Sequence, residues 1–506
     1  MRGLPEYTIA ELQAAFERGE QTAAGLTDAY LKRIAAIDSA GPTLSSVIEV
    51  NPDAMTIAEE LDRERRERGA RGPLHGVPIL VKDSIDTGDK MMTTAGSLAL
   101  EGNIAPRDAF VVEQLRKAGA VILGKTNMSE WGYMRSTRAS SGWSSRGGQV
   151  LNPYVLDRSP LGSSSGSAVA VAANLCVAAI GAEVDGSIVR PASSNSIVGL
   201  KPTVGLVSRA GVIGVAAPQD TAGPMTRCVA DLATVLTVLT GVDARDPITR
   251  ESVGKTARDY RDFLDPSALK GARLGVAREC FWPHEGTDAV IREAIAQLKA
   301  LGAEIVDPVR ASELPFFGDL ELELFRYGVK ASLNAYLADH PRAKVRTLEE
   351  LIQFNADHAA QVMPYFKQEF FEAAQTKGDL TSEAYLKVKA ELRRLGRTDG
   401  IDKALATHRL DAIIAPTEGT PPFVIDPIVG DNLKGGGCST PPAVAGYPHI
   451  SVPAGYVHGL PVGLSFFAGP YQDGKLIAYA YAFEQATRVR RPPAYVPSLN
   501  AETFVH

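Results

Sequence analysis

The sequence predicts a layered α/β fold, in which a mixed, mostly parallel β-sheet lies between helices in a single large domain. Short apolar runs typical of buried strands alternate along the chain with segments of helical period. Strands that alternate with helices favour a largely parallel sheet that is covered on both faces. No internal repeat and no linker-like stretch divides the 506 residues. We therefore expect one domain over residues 1–506.

The first half of the chain supplies the clearest elements. Thr8 and Glu11 have the spacing of a capping box, and apolar residues follow at helical spacing up to Asp38. A Ser/Gly-rich stretch from Ser136 to Ser167 has little periodicity. The other predicted elements of this half are a buried strand at 76–82, a helix at 110–118, a strand at 120–123 and a buried helix at 168–180.

The second half repeats the alternation and adds a helical segment. Residues 312–397 are mostly of helical pattern and more charged, which predicts a cap or insertion over the sheet. The recognisable motifs are densest between about residues 76 and 231, and we expect this part of the chain to form the core of the domain. The further predicted elements are strands at 274–276, 305–306, 412–415 and 450–453 and a helix at 288–301.

Composition excludes several classes of function. The net charge of −6 gives no bulk attraction to nucleic acid or to an anionic membrane. The N-terminus lacks an apolar signal segment, and the most apolar run is too short to span a bilayer, so we expect a cytoplasmic protein. We expect it to be a monomer or a homodimer. Four cysteines without C-x-x-C spacing and eight scattered histidines predict neither a disulfide framework nor a metal site.

Two familiar motifs occur in unfavourable contexts. Residues 119–126 (GAVILGKT) match the phosphate-loop pattern, but their variable positions are all apolar and predict a buried strand. Residues 162–166 (GSSSG) match a nucleophile elbow centred on Ser164, but loop-forming residues precede them where that elbow requires a strand. We expect neither motif to function.

Three other segments carry polar residues that could perform chemistry together. Lys82 ends an apolar strand, where a lysine must pair with an acid, reach solvent or lose its proton. Ser163 and Ser164 precede an alanine-rich helix, where they could cap the helix or bind an anion. Ser187 follows Gly186 in a turn that could direct several backbone N–H groups to one point, as an oxyanion hole requires. Each segment alone also fits a purely structural role.

Together, in this order and spacing, the three segments resemble the amidase signature family. Further segments are similar to that family, namely 141–148 (SGWSSRGG), 152–154 (NPY), 199–203 (GLKPT), 219–225 (QDTAGPM) and 443–448 (AVAGYP). Glu183 and Asp185 in the third segment, with the run 127–131 (NMSEW), most resemble the peptide amidase branch, whose members hydrolyse the C-terminal carboxamide of peptides.

The resemblance implies a catalytic triad and a hydrolytic reaction. Ser187 would be the nucleophile, Ser163 a proton bridge on a cis peptide bond, and Lys82 the base, with Ser164 in support. Backbone N–H groups of Val184, Asp185, Gly186 and Ser187 would form the oxyanion hole. The reaction would pass through an acyl-enzyme that water hydrolyses, without metal or organic cofactor. The substrate would be a peptide amide or a small amide; an aryl-acylamide or carbamate hydrolase and a catalytically silent binding protein are the alternatives.

The chemistry places a strong demand on Lys82. A serine hydroxyl becomes a good nucleophile only when a base takes its proton. A lysine can do so only when neutral, so its ordinary pKa of about 10.4 must fall to near 7, which costs about 4 kcal/mol. Burial at the end of a strand can supply part of this change. The sequence also departs from the family at Arg190 and at Cys438, where a small or apolar residue and a serine are usual.

Overall fold

A computed structural model describes residues 4–315, 318–431 and 436–499, and its centre is one eleven-stranded β-sheet. A separate two-stranded ribbon pairs Trp143–Ser144 with Gly148–Gln149. The strands in chain order are β1 (Val47–Val50), β2 (Pro78–Lys82), β3 (Val121–Thr126), β4 (Trp143–Ser144), β5 (Gly148–Gln149), β6 (Ala178–Glu183), β7 (Val198–Lys201), β8 (Thr221–Thr226), β9 (Arg273–Ala277), β10 (Glu304–Val309), β11 (Ala412–Pro416), β12 (His449–Val457) and β13 (Leu460–Phe467).

The large sheet is mixed, as predicted, with the order β1-β3-β2-β6-β8-β7-β12-β13-β11-β9-β10. Parallel pairs occur only in two wings, where β2 lies between β3 and β6 and where β9 lies between β10 and β11. The other neighbouring pairs are antiparallel, so the expectation of a mostly parallel sheet is wrong. One reason is local: the turn at His458 and Gly459 joins β12 directly to β13, and strands joined by a hairpin must be antiparallel.

Helices cover both faces of the sheet. Alternate residues of β11 show this, because Ile414 belongs to one apolar cluster and Ile413 to another. The helices are α1 (Ile9–Glu17), α2 (Ala23–Arg33), α3 (Ala54–Arg68), α4 (Phe110–Lys117), α5 (Ser165–Ala172), α6 (Val189–Ser194), α7 (Val229–Leu239), α8 (Glu285–Ala300), α9 (Asp319–Asp339), α10 (Leu348–Asp357), α11 (Ala359–Val362), α12 (Glu369–Gln375), α13 (Glu383–Arg393), α14 (Asp402–His408), α15 (Thr440–Ala445) and α16 (Asp473–Thr487).

Two predicted helices are divided in the structure. The segment 8–38 begins with the expected capping box at Thr8, but Gly19 takes a φ of 69° and Thr22 caps a second helix. The apolar run 168–180 is helical only at its start and then enters β6. Asn174, with a φ of 56°, is the left-handed residue that ends the helix. A continuous apolar run cannot by itself distinguish a buried helix from a buried strand.

The phosphate-loop pattern at 119–126 lies mostly in β3, all of whose residues are buried. The side chain of Lys125 donates hydrogen bonds to the carbonyl of Ile85 and, at 2.9 Å, to the Thr93 hydroxyl. This strand between β1 and β2 has the buried character that the apolar residues predict.

The segment 312–397 contains α9 to α13, and its residues 316 and 317 lie outside the described part of the chain. Residues of α9, including Phe325 and Leu333, pack in an apolar cluster with Trp131 and with Phe371 of α12. This cluster is distinct from the main core, so the helical segment has a small core of its own beside the sheet. Across the described residues, no helix combines the length and the apolar character needed to cross a membrane.

Candidate active site

Lys82 is the last residue of β2 and is 2% exposed. Its ammonium group donates to the Ser163 hydroxyl at 2.7 Å and to the carbonyl of Ala182 at 2.8 Å. The peptide bond between Gly162 and Ser163 is cis. No carboxylate of the described residues forms an ion pair with Lys82. Lys82 therefore neither pairs with an acid nor reaches solvent, which leaves loss of its proton as the remaining alternative.

Burial changes the titration of this lysine. Loss of hydration lowers the pKa of Lys82 to about 7, although the negative charges of Glu183 and Asp220 act in the opposite direction. Burial likewise raises the pKa of the Asp220 carboxyl group to about 6. A substantial fraction of Lys82 is therefore neutral at neutral pH and can accept a proton.

Ser164 connects the segment around Ser187 to the sheet. Its backbone N–H donates to the carbonyl of Ser187 at 3.1 Å. Its hydroxyl donates to the carbonyl of Ala182 at 3.1 Å and accepts from the N–H of the same residue at 3.2 Å. Since Lys82 also donates to this carbonyl, Ser164 and Lys82 are held against the same peptide group.

Glu183 organises the turn that carries Ser187. Its buried carboxylate accepts backbone N–H bonds from Gly186 at 2.9 Å, Ile188 at 2.6 Å and Val189 at 3.1 Å. Gly186 has a φ of 76°, which allows the chain to turn back around this carboxylate. This role of Glu183 was not predicted from the sequence. The available signal was an acidic residue just before the start of a short helix, where free N–H groups attract carboxylates.

The same contacts revise the expected oxyanion hole. The N–H of Gly186 already donates to Glu183 and is not free for a substrate oxygen. Across residues 4–315, 318–431 and 436–499, no acceptor is found for the N–H groups of Val184, Asp185 and Ser187. Three of the four expected donors are therefore free of other acceptors, and their residues line one small recess.

Lys82, Ser163 and Ser187 line one cavity of about 370 Å³. A volume of this order suits a small organic ligand. The helical segment 312–397 forms one side of the cavity, mainly through α9. The residues of this segment that line the cavity are Val329, Ser332, Leu333, Ala335, Tyr336, Asp339, His340 and Phe371.

A tight turn at residues 131–134 forms another wall. Trp131 has a φ of 55° and Tyr133 a φ of 81°, a backbone region that residues other than glycine rarely adopt. Gly132 lies between them, and a Cβ placed on it would be 3.9 Å from the Ser163 hydroxyl oxygen. Unfavourable backbone of this kind is often found at functional sites, and here it brings the turn next to Ser163.

The two departures from the family pattern both lie in buried surroundings. Arg190 is 5% exposed and forms an ion pair with Glu418, whose Oε2 accepts from Nη2 at 3.1 Å. It also borders a small recess that includes Ser187. The thiol of Cys438 lies 3.6 Å from Nε2 of His449, and burial raises the pKa of this thiol.

Comparison with known proteins identifies close relatives over nearly the whole chain. The family model described as Amidase matches residues 25–477. A probable amidase of Arabidopsis thaliana is 41% identical over 511 residues, which cover 97% of this chain and 92% of that protein. A glutamyl-tRNA(Gln) amidotransferase subunit of Symbiobacterium thermophilum is 37% identical, over 95% of this chain and 97% of its own length.

Solved structures agree with the sequence relatives. The native peptide amidase of Stenotrophomonas maltophilia superimposes with a TM-score of 0.92 and 49% identity, over 97% of this chain and 99% of that chain. An amidase family protein from Bacillus anthracis superimposes with a TM-score of 0.88 and 36% identity, over 96% and 92% of the two chains. The protein therefore belongs to the amidase signature family and is an amidase, a hydrolase that acts on amides.

Proposed function

We propose that this amidase hydrolyses primary carboxamides, in particular the C-terminal amides of peptides, through an acyl-enzyme on Ser187. The observation that carries the proposal is the buried Lys82, which contacts the Ser163 hydroxyl at 2.7 Å and has a pKa lowered to about 7. This arrangement supplies a neutral base and a hydroxyl relay in a cavity that Ser187 also lines. Ser163 and Lys82 thus take the roles of proton bridge and base.

The proposed reaction balances with the residues present. Ser187 Oγ attacks the carboxamide carbon while its proton passes to Ser163, and the proton of Ser163 passes to neutral Lys82. The oxygen of the tetrahedral intermediate accepts hydrogen bonds from the free N–H groups of Val184, Asp185 and Ser187. Lys82 returns the proton through Ser163 to the leaving nitrogen, the C–N bond breaks, and ammonia departs. Water then attacks the ester carbon while its proton passes through Ser163 to Lys82. The bond to Ser187 Oγ breaks, the carboxylic acid leaves, and Lys82 returns the proton through Ser163 to Ser187.

The substrate class rests on similarity and on the shape of the site. The peptide amidase of Stenotrophomonas maltophilia is 49% identical over almost its full length. The cavity beside Ser187 is large enough for a dipeptide-sized acyl group, and its walls include Trp131, Leu333 and Phe371. We also propose that residues 312–397 act as a cap, since α9 supplies one of these walls.

Ammonia release from a C-terminally amidated dipeptide, measured for the wild type beside Ser187→Ala, tests the proposal. We expect release by the wild type and a loss of roughly 10⁴-fold or more in the variant, because the remaining groups provide no nucleophile. An active-site serine probe should label the wild type alone. Equal ammonia release by both proteins would refute the assignment of Ser187.

Two further substrates distinguish the alternatives. An anilide and a carbamate should be cleaved more slowly than the amidated dipeptide, with the same dependence on Ser187. Faster cleavage of either would contradict the peptide-amide assignment and favour an aryl-acylamidase or a carbamate hydrolase. A wild type that neither turns over these compounds nor reacts with the serine probe would favour a binding protein.

A further inference from the structure

A pair of buried carboxyl groups joins the helical segment to the turn of Ser187. Glu321 lies in the first turn of α9 and is 1% exposed, while Asp185, two residues before Ser187, is 2% exposed. Their carboxyl groups lie within hydrogen-bonding reach of each other. They come from parts of the sequence that are far apart, and neither is needed by the proposed proton path.

The hydrogen bonds around the pair require a proton between the two groups. Glu321 Oε1 accepts from the Gln219 side-chain amide at 2.7 Å, and Asp185 Oδ2 accepts from the Thr440 hydroxyl at 2.5 Å. Within the described residues, neither Asp185 Oδ1 nor Glu321 Oε2 accepts a hydrogen bond of good geometry, and the Ser439 hydroxyl is the other polar group close to Asp185. Two ionised carboxylates offer only acceptors, so this contact is a hydrogen bond only when one group is protonated.

Glu321 is the group that carries the proton. Burial raises the pKa of Glu321 well above its usual range, and the neighbouring charge of Asp185 raises it further. Asp185 also has a raised pKa because of burial, but the Ser439 and Thr440 hydroxyls and the positive charge of Arg190 favour its ionised form. Three further charged groups interact with Asp185, namely Glu183, Lys201 and Glu418, and Glu418 also forms an ion pair with Arg190.

The pair also acts on the backbone next to it. The Gln219 side chain that donates to Glu321 also donates to the carbonyl of Val184 at 3.4 Å. Glu321 therefore lies against the Asp185 side chain. It also accepts a hydrogen bond from Gln219, whose side chain contacts the carbonyl of Val184. The N–H groups of these two residues are among the free donors beside Ser187.

We propose that Glu321 is a positioning residue: as a neutral acid it donates to Asp185 and, together with Gln219, fixes the peptide groups that hold the oxyanion. This inference rests on the proposed function, since it assigns a role in the same reaction. It makes α9 part of the active-site architecture, because the helical segment determines the geometry of the oxyanion donors. A displacement of about 1 Å in such groups costs roughly 10²-fold in rate.

Substitutions at Glu321 test the proposal with the amidated dipeptide as substrate. Glu321→Leu removes the donor and leaves Asp185 ionised without its partner, so we expect kcat to fall by roughly 10²-fold while KM changes less than about threefold. Glu321→Gln can donate to Asp185 and accept from Gln219, so it should recover kcat to within about threefold of the wild type. Glu323→Gln is the matched control, because Glu323 lies on the same helix in ion pairs with Arg326 and Lys377.

The pH profile separates this role from a purely structural one. Above the raised pKa of Glu321 the pair becomes two anions, so the wild type should lose kcat at high pH. Glu321→Gln cannot ionise and should keep its kcat there, whereas Glu323→Gln should follow the wild type. A Leu variant with wild-type kcat, or a Gln variant with the wild-type alkaline decline, would overturn the inference. Failure of the proposed function is recognised separately, because the wild type itself would then release no ammonia or would not depend on Ser187.

Discussion

Lys82 is the residue whose ionisation the proposed chemistry depends on most directly. Because only the neutral amine accepts a proton and burial lowers its pKa to about 7, kcat/KM should rise as the pH increases through 7 and then level off until Glu321 ionises at higher pH. Lys82→Met should reduce kcat/KM by roughly 10²- to 10⁴-fold at pH 8. Initial rates of ammonia release between pH 5 and 9 measure both effects. A wild-type profile that is flat down to pH 5 would contradict the neutral-lysine assignment.

Lys125 provides a matched control for this substitution. It is also a fully buried lysine on a neighbouring strand, and its ammonium group contacts Ile85 and Thr93, away from Ser163 and Ser187. Lys125→Met should lower the thermal stability and leave the shape of the pH profile unchanged. If both substitutions changed the pH profile equally, the profile would depend on the burial of a lysine and not on the contact of Lys82 with Ser163.

Among single residues, the motifs indicated side chains that share one cavity, but they did not predict the groups that these side chains contact. The positions of Lys82, Ser163 and Ser187 followed from short segments that resemble a family, and the structure places all three around one cavity. The contacts of Glu183 and Glu321 were not predicted. Glu321 meets Asp185 only because α9 packs against the turn of Ser187, and no local pattern records a contact between such distant segments.

Among the elements, α9 has a second attachment to the core at its C-terminal end. Nε2 of His340 donates to Asp86 at 2.9 Å and Nδ1 donates to the carbonyl of Tyr336 at 2.6 Å, so both ring nitrogens carry protons. Burial alone would lower the pKa of His340, but the hydrogen bond to Asp86 and the charge of Asp86 outweigh it and raise the pKa. The charged imidazolium therefore stabilises the contact of α9 with the segment after β2.

His340→Gln should destabilise the protein more at low pH than at high pH. Because the pKa of His340 is raised in the folded state, its contribution is complete below the unfolded pKa of about 6.5 and is lost as the pH rises through the folded value. We expect the loss in unfolding free energy to be about 1.5–3 kcal/mol at pH 5.5 and smaller at pH 8.5. Urea unfolding at the two pH values measures this difference.

His408→Gln serves as the control for that comparison. The ring of His408 has no hydrogen bond within the part of the chain that is described, although its carbonyl accepts from Arg273. Its substitution should therefore have a small effect that is the same at both pH values. A His340 variant whose destabilisation grows with pH would show that the imidazole is bound in its neutral form.

The errors in predicting the elements have a common physical origin. Apolar runs indicate burial, and the run 168–180 is buried throughout, but burial does not decide between helix and strand. Strand direction depends on connections between distant elements, as in β8, which pairs with both β6 and β7 in the antiparallel sense. Short-range signals did predict the capping box at Thr8 and a strand at residues 120–123, which the structure places at 121–126, because their causes lie within a few residues.

For the molecule as a whole, an ion pair between Glu6 and Arg490 joins the N-terminal and C-terminal segments of the fold. Arg490 donates to both carboxylate oxygens of Glu6, at 2.6 and 2.9 Å, and to the carbonyl of Ala172 at 3.3 Å. The side chains of Arg490 and Glu6 are only 15% and 25% exposed. A bidentate ion pair that is largely shielded from water is stronger than one on an open surface. The C-terminal segment thereby holds the N-terminal residues against the end of α5.

Arg490→Met should lower the unfolding free energy by about 1.5–3 kcal/mol and leave kcat per folded molecule unchanged, because the contact is remote from Ser187. Urea unfolding of the variant beside Arg18→Met tests this, since Arg18 forms an ion pair with Glu20 in which both side chains are 58% exposed. The Arg18 variant should show no measurable change, as salt screens an exposed pair. If the two variants were equally stable, the ion pair between Arg490 and Glu6 would contribute nothing measurable to stability. A fall in kcat with unchanged stability would instead mean that the chain ends influence the active site.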